Sequence, residues 1–93
     1  MNLGKARAAA RKVLRESKWC KEHPKECIMV VAAIITLVEE ISKLARYPFG
    51  AGAGGGRVIR EELEDISKKH CAPLELVEKT YWAAQKGYGG VAE

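Results

Sequence analysis

The stretch CIMVVAAIITLV, residues 27–38, is the longest apolar run in this chain. Its 12 residues are too few to cross a bilayer, and the glutamates Glu39 and Glu40 end it. From Lys25 to about Arg46 apolar residues continue along one face, so this segment predicts a buried central helix. The β-branched residues within the run leave a buried strand as the alternative.

The length and composition limit the class of protein. The chain has 93 residues, which suit one small domain and are too few for a barrel or doubly wound catalytic scaffold. With 47% hydrophobic and 30% charged residues, the composition is that of a globular protein and excludes a disordered chain. Only 6% of residues are aromatic, so the core is expected to consist mainly of Ala, Val, Ile and Leu.

The segment before the central helix predicts an amphipathic helix over residues 3–22. Small and apolar residues recur there at alternating steps of three and four. Four cations follow helical spacing on the other side: Arg7, Arg11, Arg15 and Lys18. The apolar side is mostly alanine, which is too small for firm insertion into a membrane, so no membrane partner is expected.

Basic charge is concentrated in this first helix. Residues 1–25 hold eight basic and two acidic residues, a net charge of +6, whereas the other 68 residues hold eight basic and ten acidic ones, a net charge of −2. Such asymmetry favours binding to a polyanion, and a solvated helix face is the ordinary alternative.

Residues 47–56 predict a linker. Tyr47-Pro48-Phe49 interrupts the helical pattern, and residues 50–56 are five glycines and two alanines. A phosphate-binding loop would follow a strand and end in Gly-Lys-Ser/Thr, and neither feature is present, so a flexible connection is favoured. The linker divides the chain into two helical pairs.

The second pair is predicted over residues 57–71 and from Leu74 to about Lys86. Acidic residues occupy the first half of the third helix and Lys68 and Lys69 its end, which is the order that the helix dipole favours. Together the patterns predict an all-α fold, a small four-helix domain over residues 1–93. Its parts are a basic helix and an apolar core helix (3–46), the linker (47–56), the second pair (57–86) and a flexible tail (87–93).

The segment DISKKHCAPLELVEKTY, residues 65–81, resembles the helix-turn-helix unit of DNA-binding regulators. In that family a small residue of the first helix contacts the second helix, a turn residue that is usually Gly follows, and an aliphatic residue then locks the second helix. These positions fall on Ser67, Cys71 and Val77. The resemblance covers about 25 of the 93 residues and implies a helical pair that docks in or near a DNA groove.

The recognition-like second helix departs from a typical DNA reader. Its first turns present Leu74, Glu75, Glu78 and Lys79, and carboxylates repel phosphates. Residues 57–86 balance six basic against six acidic groups. The predicted phosphate contacts therefore come from the four cations of the first helix, with Lys79 added from the recognition-like helix.

The cysteines and amides bear on the compartment and the source. Cys20, Cys27 and Cys71 are an odd number in a chain without an evident secretory signal, so a reduced, cytoplasmic location is the default. Asn2 and Gln85 are the only residues of their types, a bias typical of hyperthermophiles that predicts a thermophilic, archaeal source. Intracellular disulfides are common in such organisms, which leaves a Cys20–Cys27 bridge open.

Metal binding and catalysis are not expected. Cys20, His23, Cys27, His70 and Cys71 are possible zinc ligands, but Cys27 suits the core and Cys71 the turn. No Cys or Ser is paired with a His and an orienting carboxylate, as nucleophilic catalysis requires. The sequence predicts neither an enzyme nor a cofactor.

The leading functional hypothesis is a small DNA-associated protein, a transcriptional regulator or accessory factor that binds double-stranded DNA. The alternative is an adaptor that holds together a replication, transcription or virion assembly without intrinsic DNA binding. One small core is marginal alone, so a homodimer or a protein partner is expected to cover the apolar second helix.

Overall fold

The structure is a computed structural model that describes residues 2–44 and 55–89. These residues form five helices: α1 (Leu3–Arg15), α2 (Lys18–Glu22), α3 (Pro24–Leu44), α4 (Gly55–His70) and α5 (Leu74–Tyr88). The described part of the chain contains no strand, which confirms the all-α class and excludes the strand alternative for residues 27–38. Within it, none of the helices is both long and apolar enough to reach across a bilayer.

The single helix predicted over residues 3–22 is wrong, because the chain bends at Ser17 and forms α1 and α2. Ser17 is extended, with φ −86° and ψ 144°. Its hydroxyl oxygen accepts a hydrogen bond from the Cys20 backbone N–H at 3.1 Å and donates to the Leu14 carbonyl at 2.6 Å. Serine is a preferred residue at the N-cap position, so one side chain both ends α1 and begins α2. The predicted four helices thus become five.

Helices α1 and α5 lie antiparallel and very close together. At one end the Asn2 backbone N–H donates to the Tyr88 carbonyl at 3.1 Å. A Cβ atom added to Gly87 would lie 2.8 Å from the Lys5 carbonyl oxygen, so the two backbones touch there. The facing side of α1 consists of small residues followed by a leucine, all fully buried: Ala6, Ala10 and Leu14.

The core surrounds α3, which packs against each of the other helices. Its fully buried side chains are Val30, Ile34 and Val38. Leu14, Leu63, Val77 and Tyr81 complete the core from α1, α4 and α5. The apolar run thus forms the predicted central helix, and aliphatic side chains dominate the core as expected.

Two predicted boundaries shift. Residues 47–54 of the predicted linker lie outside the described residues, whereas Gly55 and Gly56 belong to α4. The tail predicted from residue 87 is wrong at its start, because α5 continues through Gly87 to Tyr88, and Gly89, whose φ is 122°, is its C-cap. The contacts with Lys5 and Asn2 extend the helix. Residues 90–93 lie outside the described residues.

Candidate nucleic-acid interface

The turn between α4 and α5 has a left-handed residue at the position where the family resemblance expects glycine. Cys71 has φ 52° and an exposed side chain. The turn is closed by two hydrogen bonds: the Ala72 N–H donates to the Ser67 carbonyl at 3.0 Å, and the Ser67 hydroxyl donates to the Ala72 carbonyl at 2.6 Å. Ser67 is therefore a small residue that fixes the turn. Because φ > 0 is costly for a residue with a Cβ, the neighbouring contacts must hold Cys71 in place.

Helix α2 supplies one of these contacts. The Trp19 indole N–H donates to the Cys71 carbonyl at 3.1 Å, which joins residues 52 positions apart. The rings of Trp19 and His23 pack at a centroid distance of 5.4 Å. Sequence analysis missed this contact, because no periodicity links α2 with a turn so distant in the chain. Its consequence is that the basic segment of the protein lies directly beside the α4–α5 turn.

A second contact at the same end involves the buried side chain of His70, which is 7% exposed. Its Nδ1 lies 2.8 Å from Oε2 of Glu26, and the ring N–H donates to the carboxylate. Glu26 lies in the first turn of α3 and His70 at the end of α4. The pair thus connects the start of α3 to the α4–α5 turn.

Cys20 and Cys27 form a disulfide between α2 and α3, with their Cα atoms 5.2 Å apart. The bridge that the sequence left open is thus present, and Cys71 is a free thiol. Both sulfurs are bonded to each other and are not free to act as thiolate ligands. Within residues 2–44 and 55–89, no group of three or more His, Cys, Asp or Glu side chains could hold a metal ion.

The predicted phosphate-binding side chains are all exposed: Arg7, Arg11, Arg15, Lys18 and Lys79. In the part of the chain that the structure describes, none of them is engaged in an ion pair. Their guanidinium and ammonium groups are therefore available to an anion.

The structure does not bring these five side chains into one cluster. Arg7, Arg11 and Arg15 lie on successive turns of α1 and line a groove between α1 and α3. Lys18 lies beyond the bend, at the start of α2. Lys79 lies on α5, and the groove's lining residues come from α1, α2 and α3. The three arginines thus lie on one surface, along the groove. Lys18 lies at the end of that surface, and Lys79 lies apart from it.

The groove beside the arginines has a volume of about 580 Å³. Its floor contains Cys27 and Val31, which are buried, and its outer wall contains Ile28, which is 72% exposed. The groove is therefore apolar on the α3 side, where these three residues lie, and cationic on the α1 side, where the arginines lie. Sequence analysis did not predict this groove, because its two walls come from separate helices.

More cations gather at the end of the bundle where α2 lies. The exposed cations there are Lys12, Arg15, Lys18, Lys21, Lys25, Lys68 and Lys69, and the exposed acids are Glu16, Glu22 and Glu75. The Trp19–Cys71 and His70–Glu26 contacts bring the two lysines of α4 to this end. The charge asymmetry along the sequence is thus also an asymmetry in space, and it favours anions at this end.

One face of α5 is exposed to solvent. Its exposed residues follow helical spacing: Glu75, Lys79, Trp82 and Lys86. The Trp82 ring packs edge-on against Tyr81, with centroids 5.0 Å apart. This face carries two cations and one acid, a weaker positive field than that of α1.

No protein-family model matches this chain, and no curated protein or solved structure is significantly similar to it.

Proposed function

We propose that the protein binds duplex DNA through phosphate contacts from α1 and α2 and acts as a transcriptional regulator or DNA-binding accessory factor. The observation that carries the proposal is the exposure of Arg7, Arg11, Arg15 and Lys18 without an ion-pair partner among the described residues. Cations that pair with phosphates release condensed counterions, and this release supplies most of the affinity for a polyanion. Arginine also suits phosphate because its planar fork can donate two parallel hydrogen bonds.

The positions of α4 and α5 support a helix-turn-helix-like role. Their connection passes through a left-handed residue, Cys71, and Trp19 attaches the basic α2 to that turn. DNA that lies along α1 and α2 would therefore meet the start of α5 nearby. Lys79 is the cation on that helix that we assign to the interface, and Glu75 keeps its contribution small.

We infer a thermophilic, archaeal source for this factor. A Cys20–Cys27 bond is compatible with the cytoplasm of such organisms, whose intracellular proteins are unusually rich in disulfides. The scarcity of Asn and Gln agrees with the same source. A homodimer would double the number of phosphate contacts, as in many DNA-binding regulators.

The proposal is tested by fluorescence anisotropy on a labelled duplex of about 20 base pairs, in about 50 mM salt. We expect the protein to bind with a Kd of about 1 µM or lower, and the double variant Arg11→Glu/Arg15→Glu to lose measurable binding. The matched control is Lys43→Glu/Lys86→Glu, which makes the same change in net charge at exposed positions of α3 and α5 instead of α1 and α2. Equal weakening by the two variants would show that only net charge matters and would refute this interface.

A second candidate function is that of an adaptor without intrinsic DNA binding. The exposed apolar side chains of α3 favour it, since Ile28 is 72% and Met29 49% exposed and phosphate binding needs neither. A native mass equal to the monomer, no affinity for duplex DNA and a stable protein partner would together support the adaptor over the DNA-binding factor.

A further inference from the structure

We propose that the groove between α1 and α3 docks an acidic amphipathic helix of a partner protein. The proposal goes beyond DNA binding and does not rest on it. It rests on three properties of the groove: an apolar wall, a row of arginines and helical walls without a strand edge.

The apolar side provides the contact area. Val31 and Cys27 form a buried floor, and Ile28 projects from the wall with 72% of its surface exposed. Covering an aliphatic side chain of this kind removes apolar surface from water, which is the main favourable term in protein association. The open side at Ile28 suits a long occupant that lies along the groove better than an enclosed small molecule.

The charged side selects the occupant. Arg7, Arg11 and Arg15 line the groove, and the residues that line it include no acid. In a symmetric dimer through this groove the same arginines of both copies would meet, and like charges would oppose the contact. A partner with carboxylates is instead complementary, and rim charges of this type steer association and set specificity.

The walls favour a helix over an extended segment. Both walls are helices whose backbone groups are hydrogen-bonded internally, so neither offers a strand edge to pair with. The N–H and C=O groups of an extended chain would therefore lack partners against the apolar floor. A helix satisfies its own backbone. Arginines four residues apart rise about 6 Å per step along α1, so carboxylates at i, i+4 and i+8 of a helix alongside would meet each in turn.

The Cys20–Cys27 disulfide prepares the groove for binding. Both cysteines line it, and their bond holds α2 against the first turns of α3. A wall that is already fixed loses little conformational entropy when a partner binds. An occupied groove would also cover the arginines that the proposed DNA contact uses, so this partner and DNA exclude each other.

The test uses a designed helical peptide of about 18 residues, with leucines on one face and three glutamates spaced four apart along its flank. Binding is measured by anisotropy, and the site by the methyl NMR signals of the isoleucines. We expect saturable binding that shifts the Ile28 signal, and about tenfold weaker binding after Ile28→Ser or when the peptide glutamates become glutamines. The matched control is Met29→Ser, which is equally uncharged and lies outside the groove; it should change the affinity less than about twofold.

Three outcomes would overturn the proposal: no binding at about 1 mM peptide, equal effects of Ile28→Ser and Met29→Ser, or a dimer by native mass that Ile28→Ser dissociates. The last would assign the groove to a second copy. Ile28→Ser removes no charge, so it should leave DNA affinity unchanged. A failure of this proposal is thereby distinguishable from a failure of the DNA-binding proposal.

Discussion

Reduction of the Cys20–Cys27 disulfide tests how much this bond between α2 and α3 stabilises the fold. The two cysteines are seven positions apart in sequence, so the bond closes a short loop in the unfolded chain. For a loop of this length the chain-entropy relation gives about 8 cal/mol/K, or about 2.5 kcal/mol at 25 °C. A domain of this size loses roughly 4–8 °C in Tm for each kcal/mol, so reduction should lower Tm by about 10–20 °C.

The assay is thermal and urea unfolding, each followed by far-UV circular dichroism, with and without a phosphine reductant. Both arms use the Cys71→Ser variant, because the free, exposed thiol of Cys71 could otherwise exchange with the disulfide in unfolded chains. The reduced protein should keep its helical spectrum, since the bond joins only α2 to the first turn of α3, and the packing among α1, α3, α4 and α5 does not require it. A loss under about 0.5 kcal/mol, or collapse of the whole helical signal, would refute this reasoning.

Three further predictions concern the turn, the α1–α5 contact and a buried phenol. Cys71→Gly should raise the unfolding free energy by up to about 1 kcal/mol in urea melts, because it relieves φ 52°, whereas Cys71→Ala should leave it nearly unchanged. Gly87→Ala should lower the unfolding free energy by about 1–3 kcal/mol, because the new Cβ would lie 2.8 Å from the Lys5 carbonyl oxygen. Replacing glycine by alanine within a helix usually raises stability, so a gain here would contradict the close approach of the two backbones. Burial raises the pKa of the Tyr81 phenol, and the hydrogen bond from Gln85 opposes that rise. As pH rises, the unfolded chain therefore loses this proton before the folded protein does. The unfolding free energy falls above about pH 10, by up to about 1.4 kcal/mol per pH unit for this one proton. Urea melts across that range should show a shallower fall for Tyr81→Phe, which has no phenol to titrate.

The central helix and much of the core could be predicted from sequence. An apolar run of 12 residues, flanked by helix formers, has few alternatives in a chain of this length. The break at Ser17 was not predicted, because small and apolar residues continue at helical spacing through residues 3–22 and that periodicity favours one helix, although serine is a preferred N-cap residue. Gly87 was misplaced in a tail for a similar reason, since only its contact with Lys5 shows that it is a packing position.

The candidate interface was predicted in part. Helical spacing was sufficient to place Arg7, Arg11 and Arg15 on one exposed face. The spacing could not show that Lys18 lies past a bend, that Trp19 joins α2 to the α4–α5 turn, or that the arginines border an apolar groove. Each of these facts depends on contacts between segments distant in sequence, which local patterns do not encode.

The most direct test of DNA binding is the salt dependence of affinity for a short duplex. With Arg7, Arg11, Arg15 and Lys18 each on one phosphate, and with the contribution of Lys79 kept small by Glu75, log affinity should fall against log salt with a slope of about −3.6. The Arg11→Glu/Arg15→Glu variant, if binding is still measurable, should fall to about −1.8 or flatter, while Lys43→Glu/Lys86→Glu should keep the full slope. A slope near zero for the unmodified protein, or the same slope for both double variants, would contradict the assignment of DNA contacts to α1 and α2.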